Sequence, residues 1–201
     1  MESEAADNSE VKLYADGSGL EGNVGAAAAL YRQGRQNPKV LRYCLGPLTH
    51  HTTYSAEAVG TSLALYLLSK ELDVSSVSLN IDSQATITAM NKQEARSGQH
   101  IIEECIRLVW KCWKNNHQLN YHLNIHWISG HSGVEGNELV DEEAKRAAQG
   151  NSSAKRSLPN YLQKNNLPCS ISASKQSFDE ELKKRWETSW HASLCYNKIQ
   201  G

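Results

Sequence analysis

The chain has little that would commit it to a membrane, a disulfide scaffold or a highly charged partner. No apolar run approaches the ~20 residues that a membrane-spanning helix requires. The opening stretch, with Glu2, Glu4, Asp7 and Glu10, has none of the basic-then-apolar pattern of a signal peptide. The five cysteines (Cys44, Cys105, Cys112, Cys169 and Cys195) are an odd number and include no Cys-x-x-Cys pair. This speaks against a disulfide framework and against a zinc site, and points to a reducing compartment, cytoplasmic or nuclear. The 21 Lys and Arg against 22 Asp and Glu leave a net charge of -1. Global attraction to nucleic acid is therefore absent, and any such binding must come from local patches or from bound metal. Low-complexity segments and internal repeats are also missing. What remains is an ordinary globular mixture of 201 residues, 39% of them hydrophobic. That is enough for one domain with a sizeable core and an appendage.

Met1–Glu10 is expected to be a disordered polar leader. Val11–Ala15 alternates like a strand, and Asp16-Gly17-Ser18-Gly19 is expected to break it. A turn at Gly22, Asn23 and Gly25 precedes a second apolar run, Ala26–Tyr31. Val40–Leu45 makes a third strand, so the three form an antiparallel meander. Ala56, Val59, Gly60, Leu63, Ala64 and Leu67 then mark one face of a helix. Val74–Ile81 has the length and composition of a buried strand. Helices over Gln84–Met90 and Gln99–His117, a strand at Leu123–Ile128 and a helix at Glu135–Ala148 follow. The order βββαβαβα, with a doubled middle helix, predicts an α/β fold: a five-stranded mixed sheet with helices on both faces.

Four carboxylates stand at the edges of these elements. Asp16 ends the first strand, Glu57 opens the first helix, Asp82 follows the fourth strand and Asp141 lies on the last helix. In an open sheet, functional residues collect beyond the carboxyl ends of the strands. Taken singly, each has a plain alternative: an Asp after a strand forms turns or caps, and a Glu near a helix start suits the helix dipole. Gathered in one place, four carboxylates would repel and drive at least one pKa upward. Hard divalent cations with all-oxygen ligation, Mg²⁺ or Mn²⁺, relieve this. A pair of such ions suits hydrolysis of a phosphodiester.

With these residues laid out, the chain resembles the type 1 ribonuclease H family from Val11 to about Gln149. The matching stretches are Tyr14-Ala15-Asp16-Gly17-Ser18, Thr52-Thr53-Tyr54-Ser55-Ala56-Glu57, Ile81-Asp82-Ser83-Gln84, and Trp127-Ile128-Ser129-Gly130-His131-Ser132-Gly133 followed by Glu135-Gly136-Asn137-Glu138 and Asp141. The last block is most similar to ribonuclease H domains of fungal non-LTR, LINE-like retrotransposon reverse transcriptases. The resemblance implies a ribonuclease H-like fold and a two-metal endonuclease that cuts the RNA strand of an RNA–DNA hybrid. It implies metal ligation by Asp16, Glu57, Asp82 and Asp141, with Asp16 bridging both ions. His131 then assists proton transfer or product release. Asn23, Thr52, Thr53 and Gln84 fall at hybrid-contacting positions. Thr53 departs from the asparagine of many cellular members, and no basic insertion or hybrid-binding domain is visible. A polymerase neighbour in a larger reverse transcriptase would supply the missing affinity.

The tail after Gly150 opens as a Gly/Ser/Asn/Lys-rich linker, so the domain is expected to span 11–150 and a helical extension 151–201. Phe178, Leu182 and Trp186 at helical spacing are expected to dock on the domain of a monomer. Two other classes compete with a nuclease. A domesticated domain that binds without cutting would be signalled by a lost carboxylate, yet all four are present. An integrase-like or exonuclease relative would lack the Gly-His-Ser-Gly loop with Asn137 and Asp141.

Overall fold

The computed structural model describes residues 7–92, 97–116, 121–130, 133–164, 167–193 and 196. Three long strands open the chain: β1 (Val11–Leu20), β2 (Asn23–Arg32) and β3 (Lys39–Pro47). Helix α1 (Thr53–Leu68) leads into β4 (Ser76–Ile81), α2 (Gln84–Lys92), α3 (Gln99–Asn116), β5 (His122–Trp127) and α4 (Glu135–Ala148). A 3₁₀ turn at Lys155–Ser157, the short α5 (Asn160–Lys164) and the long α6 (Ile171–His191) complete the described elements.

The sheet has the order β3-β2-β1-β4-β5. β1 pairs antiparallel with β2 and parallel with β4, and β4 pairs parallel with β5. The expected βββαβαβα order and mixed sheet are therefore present. Pleat alternation then divides the two faces. Leu13 and Ala15 of β1 join Ala26, Ala28 and Leu30 of β2 in the larger core, with α1 and with Ile101, Ile102, Cys105, Leu108 and Cys112 of α3. Tyr14 and Ala29 face the other way, against Val140 of α4. β2 is built from small side chains because helices press on both its sides. A Cβ at Gly25 would come within 2.2 Å of the Ala148 nitrogen on α4, so only glycine lets that helix sit so close.

Three expectations need correction. β1 does not stop at Ala15. It runs through the Gly-Ser-Gly segment to Leu20, because β2 continues to pair with it as far as Leu20↔Asn23. Residues 7–10 of the leader are tied to the domain: Ser9 is buried, and the Glu10 carboxylate accepts hydrogen bonds from Arg32 Nη2 at 3.0 Å and the Ser75 amide at 3.1 Å. The tail also divides differently. Leu158, Leu162 and Leu167 are buried in the main core, and Ser152 and Ser153 satisfy amides on the outer edge of β3 at 2.9 and 3.0 Å. On α6, however, Phe178, Leu182 and Trp186 are 60%, 46% and 63% exposed, so the expected docking of that face does not occur. Among the described residues no helix is long and apolar enough to cross a membrane.

Candidate active site

The site forms where β4 ends and β1 continues. The parallel ladder between them closes at Ala15↔Ile81. The next residues on the two strands are Asp16 and Asp82. Neighbouring strands lie about 4.8 Å apart, so the two carboxylates emerge side by side.

Helix α1 brings Glu57 to the same edge. Its N-cap is Thr52, whose Oγ1 accepts a hydrogen bond from the Ser55 amide at 3.1 Å. Glu57 consequently stands at the start of the second turn, where the sequence placed it in the first. It reaches the sheet because Gly17 leaves room: a Cβ at Gly17 would lie 2.3 Å from the Glu57 nitrogen and 2.5 Å from the Ala56 carbonyl carbon. Ser83, buried beside Asp82, hydrogen-bonds the Glu57 carboxylate and opposes its protonation. On the far face, buried Val140 and Ala144 seat α4, which leaves Asp141 at the rim.

The electrostatics register this convergence. The Asp16 carboxyl is pushed up to about 6 from an ordinary 3.8, first by burial, then by the charge of Asp82, with Asp141 and Glu57 adding to it. The Gly17 amide, donating to Asp16 Oδ1 at 2.7 Å, works against the rise. Burial and Asp82 likewise raise Glu57. One cation intervenes: Lys145 donates to Asp141 Oδ2 at 2.6 Å and also feels Asp16. Sequence reading did not single out Lys145, although the i,i+4 spacing from Asp141 was its available signal. Ser83 was passed over as a motif residue without a role of its own.

Among the described residues no three His, Cys, Asp or Glu side chains stand in a ligating arrangement. The four carboxylates are electrostatically coupled but not drawn together, with Asp141 engaged by Lys145. Their chemistry nevertheless fits a hard dication, since the donors are all oxygen and Asp16 carries the mark of a site short of positive charge. His131 and Ser132 lie outside the described residues.

Three of the four residues expected to contact nucleic acid line open depressions. Thr52 and Gln84 line one open depression with Tyr54, Thr88, Ser97 and Ser172. A second depression shares Thr52 and Tyr54 and adds Thr53, Leu48, Gln176 and Glu180. Asn23 opens β2 opposite Leu20 and lines neither.

A mixed sheet in this strand order with helices on both faces is the ribonuclease H-like fold. The RNase H family model matches residues 8–149, and the chain belongs to the ribonuclease H family. Among solved structures it is similar to the N-terminal RNase H domain of Rv2228c from Mycobacterium tuberculosis, at 18% identity and a TM-score of 0.53, covering 71% of this chain and 98% of that one. RNase H1 from the halophilic archaeon Halobacterium salinarum is similar at 16% identity and 0.51, covering 70% and 98%. LC9-RNase H1, described as a type 1 RNase H with the type 2 active-site motif, is similar at 17% identity and 0.52, covering 81% and 89%. No curated protein matches the chain.

Proposed function

We propose that the protein is an endonuclease that hydrolyses the RNA strand of RNA–DNA hybrids with two divalent metal ions. The observation that carries this reading is the β1–β4 ladder closing at Ala15↔Ile81, which sets Asp16 beside Asp82, with Glu57 and Asp141 near enough to add to the upward push on the Asp16 carboxyl. These four residues would hold Mg²⁺, with Mn²⁺ able to substitute. Bound there, the ions would activate water and neutralise charge on the leaving oxygen.

The protein's own groups prepare that chemistry. Asp16 gives up its proton when a cation offsets the neighbouring charges. Ser83 holds Glu57 oriented and ionised. Lys145 supplies the interim counter-charge and must yield Asp141 for ligation. His131 assists proton transfer or product release, as its motif position implies. Thr52, Thr53 and Gln84, with Asn23, would contact the hybrid in the minor groove, where RNA displays its 2′-hydroxyls. The similarity of the Trp127–Asp141 block to LINE-like reverse transcriptases supports an origin in such an element, with a polymerase domain as partner. That partner would compensate for the net charge of -1.

The decisive test is cleavage of a labelled RNA–DNA hybrid with Mg²⁺ or Mn²⁺, with double-stranded RNA and double-stranded DNA as controls. Only the RNA strand of the hybrid should be cut, and excess chelator should stop the reaction. Cutting that persists in chelator would eliminate the metal-ion reading, and an intact hybrid would eliminate the nuclease itself.

A further inference from the structure

Helix α6 is anchored at its start and uncovered along most of its length. Ala173 is buried and Ser177 half-buried beside the depression shared with Thr52 and Thr53, while the helix beyond Ser177 is exposed on every side as far as Trp190. Its apolar residues form one uncovered stripe. At about 100° per residue, Phe178 and Trp186 lie about 40° to either side of Leu182, with Trp190 about 80° round and Ile171 close to the same line. Ile171, Phe178, Leu182 and Trp186 are all exposed, and Trp186 and Trp190 stack with ring centroids 5.8 Å apart.

The charges beside this stripe are arranged as a mirror about Leu182. Asp179, Glu180 and Glu181 precede it, and Lys183, Lys184 and Arg185 follow. Asp179 and Lys183 flank the stripe on one side, at about 60° and 100°, and Glu181 and Arg185 flank it on the other at matching angles. Glu180 and Lys184 point away.

We propose that α6 is a self-association helix, on which a second copy of this chain packs antiparallel about a two-fold axis at Leu182. In that register Phe178 of each copy faces Trp186 of the other, and Leu182 meets Leu182. Trp190 lies level with the small Ser174 of the other copy, on the opposite flank. The two-fold keeps each flank facing its own copy, so Asp179 meets Lys183 and Glu181 meets Arg185. This gives four attractive pairs across the interface. A parallel pairing instead sets Asp179 beside Glu181 and Lys183 beside Arg185, so like charges offset the attractive pairs that the antiparallel register gains. The pattern thus selects one partner and one direction. The existing Arg185–Glu181 pair within the helix is a small obstacle, because exposed i,i+4 pairs contribute little.

The size of the patch indicates the strength. Aromatic side chains bury roughly 150–250 Å² each when covered, and about half of each remains open here. Two copies would hide about 1,000 Å², near the lower limit for specific association. An interface of this size suits weak, reversible association.

Sedimentation equilibrium of the full chain tests this, with circular dichroism and thermal melting confirming that each variant is folded. The wild type should dimerise reversibly. L182D should raise the dissociation constant at least ~100-fold by placing a charge at the axis. K183E/R185E and D179K/E181K should each be monomeric, and an equimolar mixture of the two should recover the dimer. A wild type that stays monomeric at about 100 µM would overturn the proposal and assign the face to a different protein. It would equally be overturned if L182D or K183E/R185E dimerised like the wild type, or if the mixture stayed monomeric.

Discussion

Removing the charge at Asp82 should stabilise the metal-free protein while abolishing catalysis. The magnitude follows from Asp16, whose carboxyl is raised from 3.8 to about 6. A tenfold change in proton affinity corresponds to about 1.36 kcal/mol, so ionising Asp16 costs the folded state at most about 3 kcal/mol relative to the unfolded chain. The sign is fixed because the folded form holds the proton more tightly. The penalty is absent below about pH 4, grows through the interval, and is complete above about pH 6. Burial is the largest cause and Asp82 the second. Asp82→Asn should therefore recover a minority share, about 1 kcal/mol, or roughly 2–4 °C in melting temperature for a chain of this size. Urea denaturation in chelator at pH 7.5 and pH 4.5 measures it. The variant should be more stable at pH 7.5, with the gap closing at pH 4.5. Added Mg²⁺ should stabilise the wild type more than the variant. Hybrid cleavage should fall at least ~1,000-fold. A clear loss of metal-free stability at pH 7.5 would mean that Asp82 holds the fold and that like-charge repulsion does not govern the site.

Further outcomes are expected at three other positions. His131→Ala should slow cleavage by ~10- to 1,000-fold at saturating metal, and its pH–rate profile should lose an inflection near ~6.5; an unchanged rate and profile would reduce His131 to a loop residue. Gly17→Ala must push α1 off β1, since the added Cβ would lie 2.3 Å from the Glu57 nitrogen. Its melting should show a loss of about 3 kcal/mol, and cleavage should fall with it; a variant as stable and active as the wild type would refute that seating. Glu71, only 2% exposed, is ion-paired with Arg32, Arg35 and Lys39. Burial opposes its ionisation, but the hydrogen bonds from those three cations prevail and hold it at about 2. Its stabilisation should thus be present above about pH 4.5 and disappear as pH falls towards 2, and Glu71→Gln should cost roughly 3–5 kcal/mol in chemical denaturation. A variant with wild-type stability would show the cluster to be ornamental.

The helical and strand periods of the domain were legible because its elements bury one face each. Val59, Leu63 and Leu67 on α1 and Val140 and Ala144 on α4 turned inward as their spacing required. Element order and the local motifs picked out Asp16, Glu57, Asp82 and Asp141 as candidates; the fold sets Asp16 beside Asp82, and among the described residues it brings no three of them into a ligating arrangement. What escaped has a common physical origin in long-range partners. Gly17-Ser18-Gly19 looks like a break in isolation, yet it is a strand whose small residues admit α1, and β2 supplies its pairing. Leu158 and Leu162 lie beyond a polar stretch that resembles a linker, and only the tertiary fold shows the gap they fill. Phe178, Leu182 and Trp186 have the spacing of a docking face, but periodicity does not name the surface that a stripe will meet. Lys145 was hidden among the ordinary charges of a polar helix face.

The thin middle of the molecule has a mechanical consequence. Gly25 and Ala26–Ala29 leave β2 with scarcely any side-chain volume, so α1 and α4 are held apart by little more than backbone. Those two helices carry Glu57 and Asp141 on opposite sides of the slab. The span between the carboxylates is thereby gauged by alanines that never meet a substrate. A single methyl group added at Gly25 would act as a wedge under α4 and shift the helix that carries Asp141.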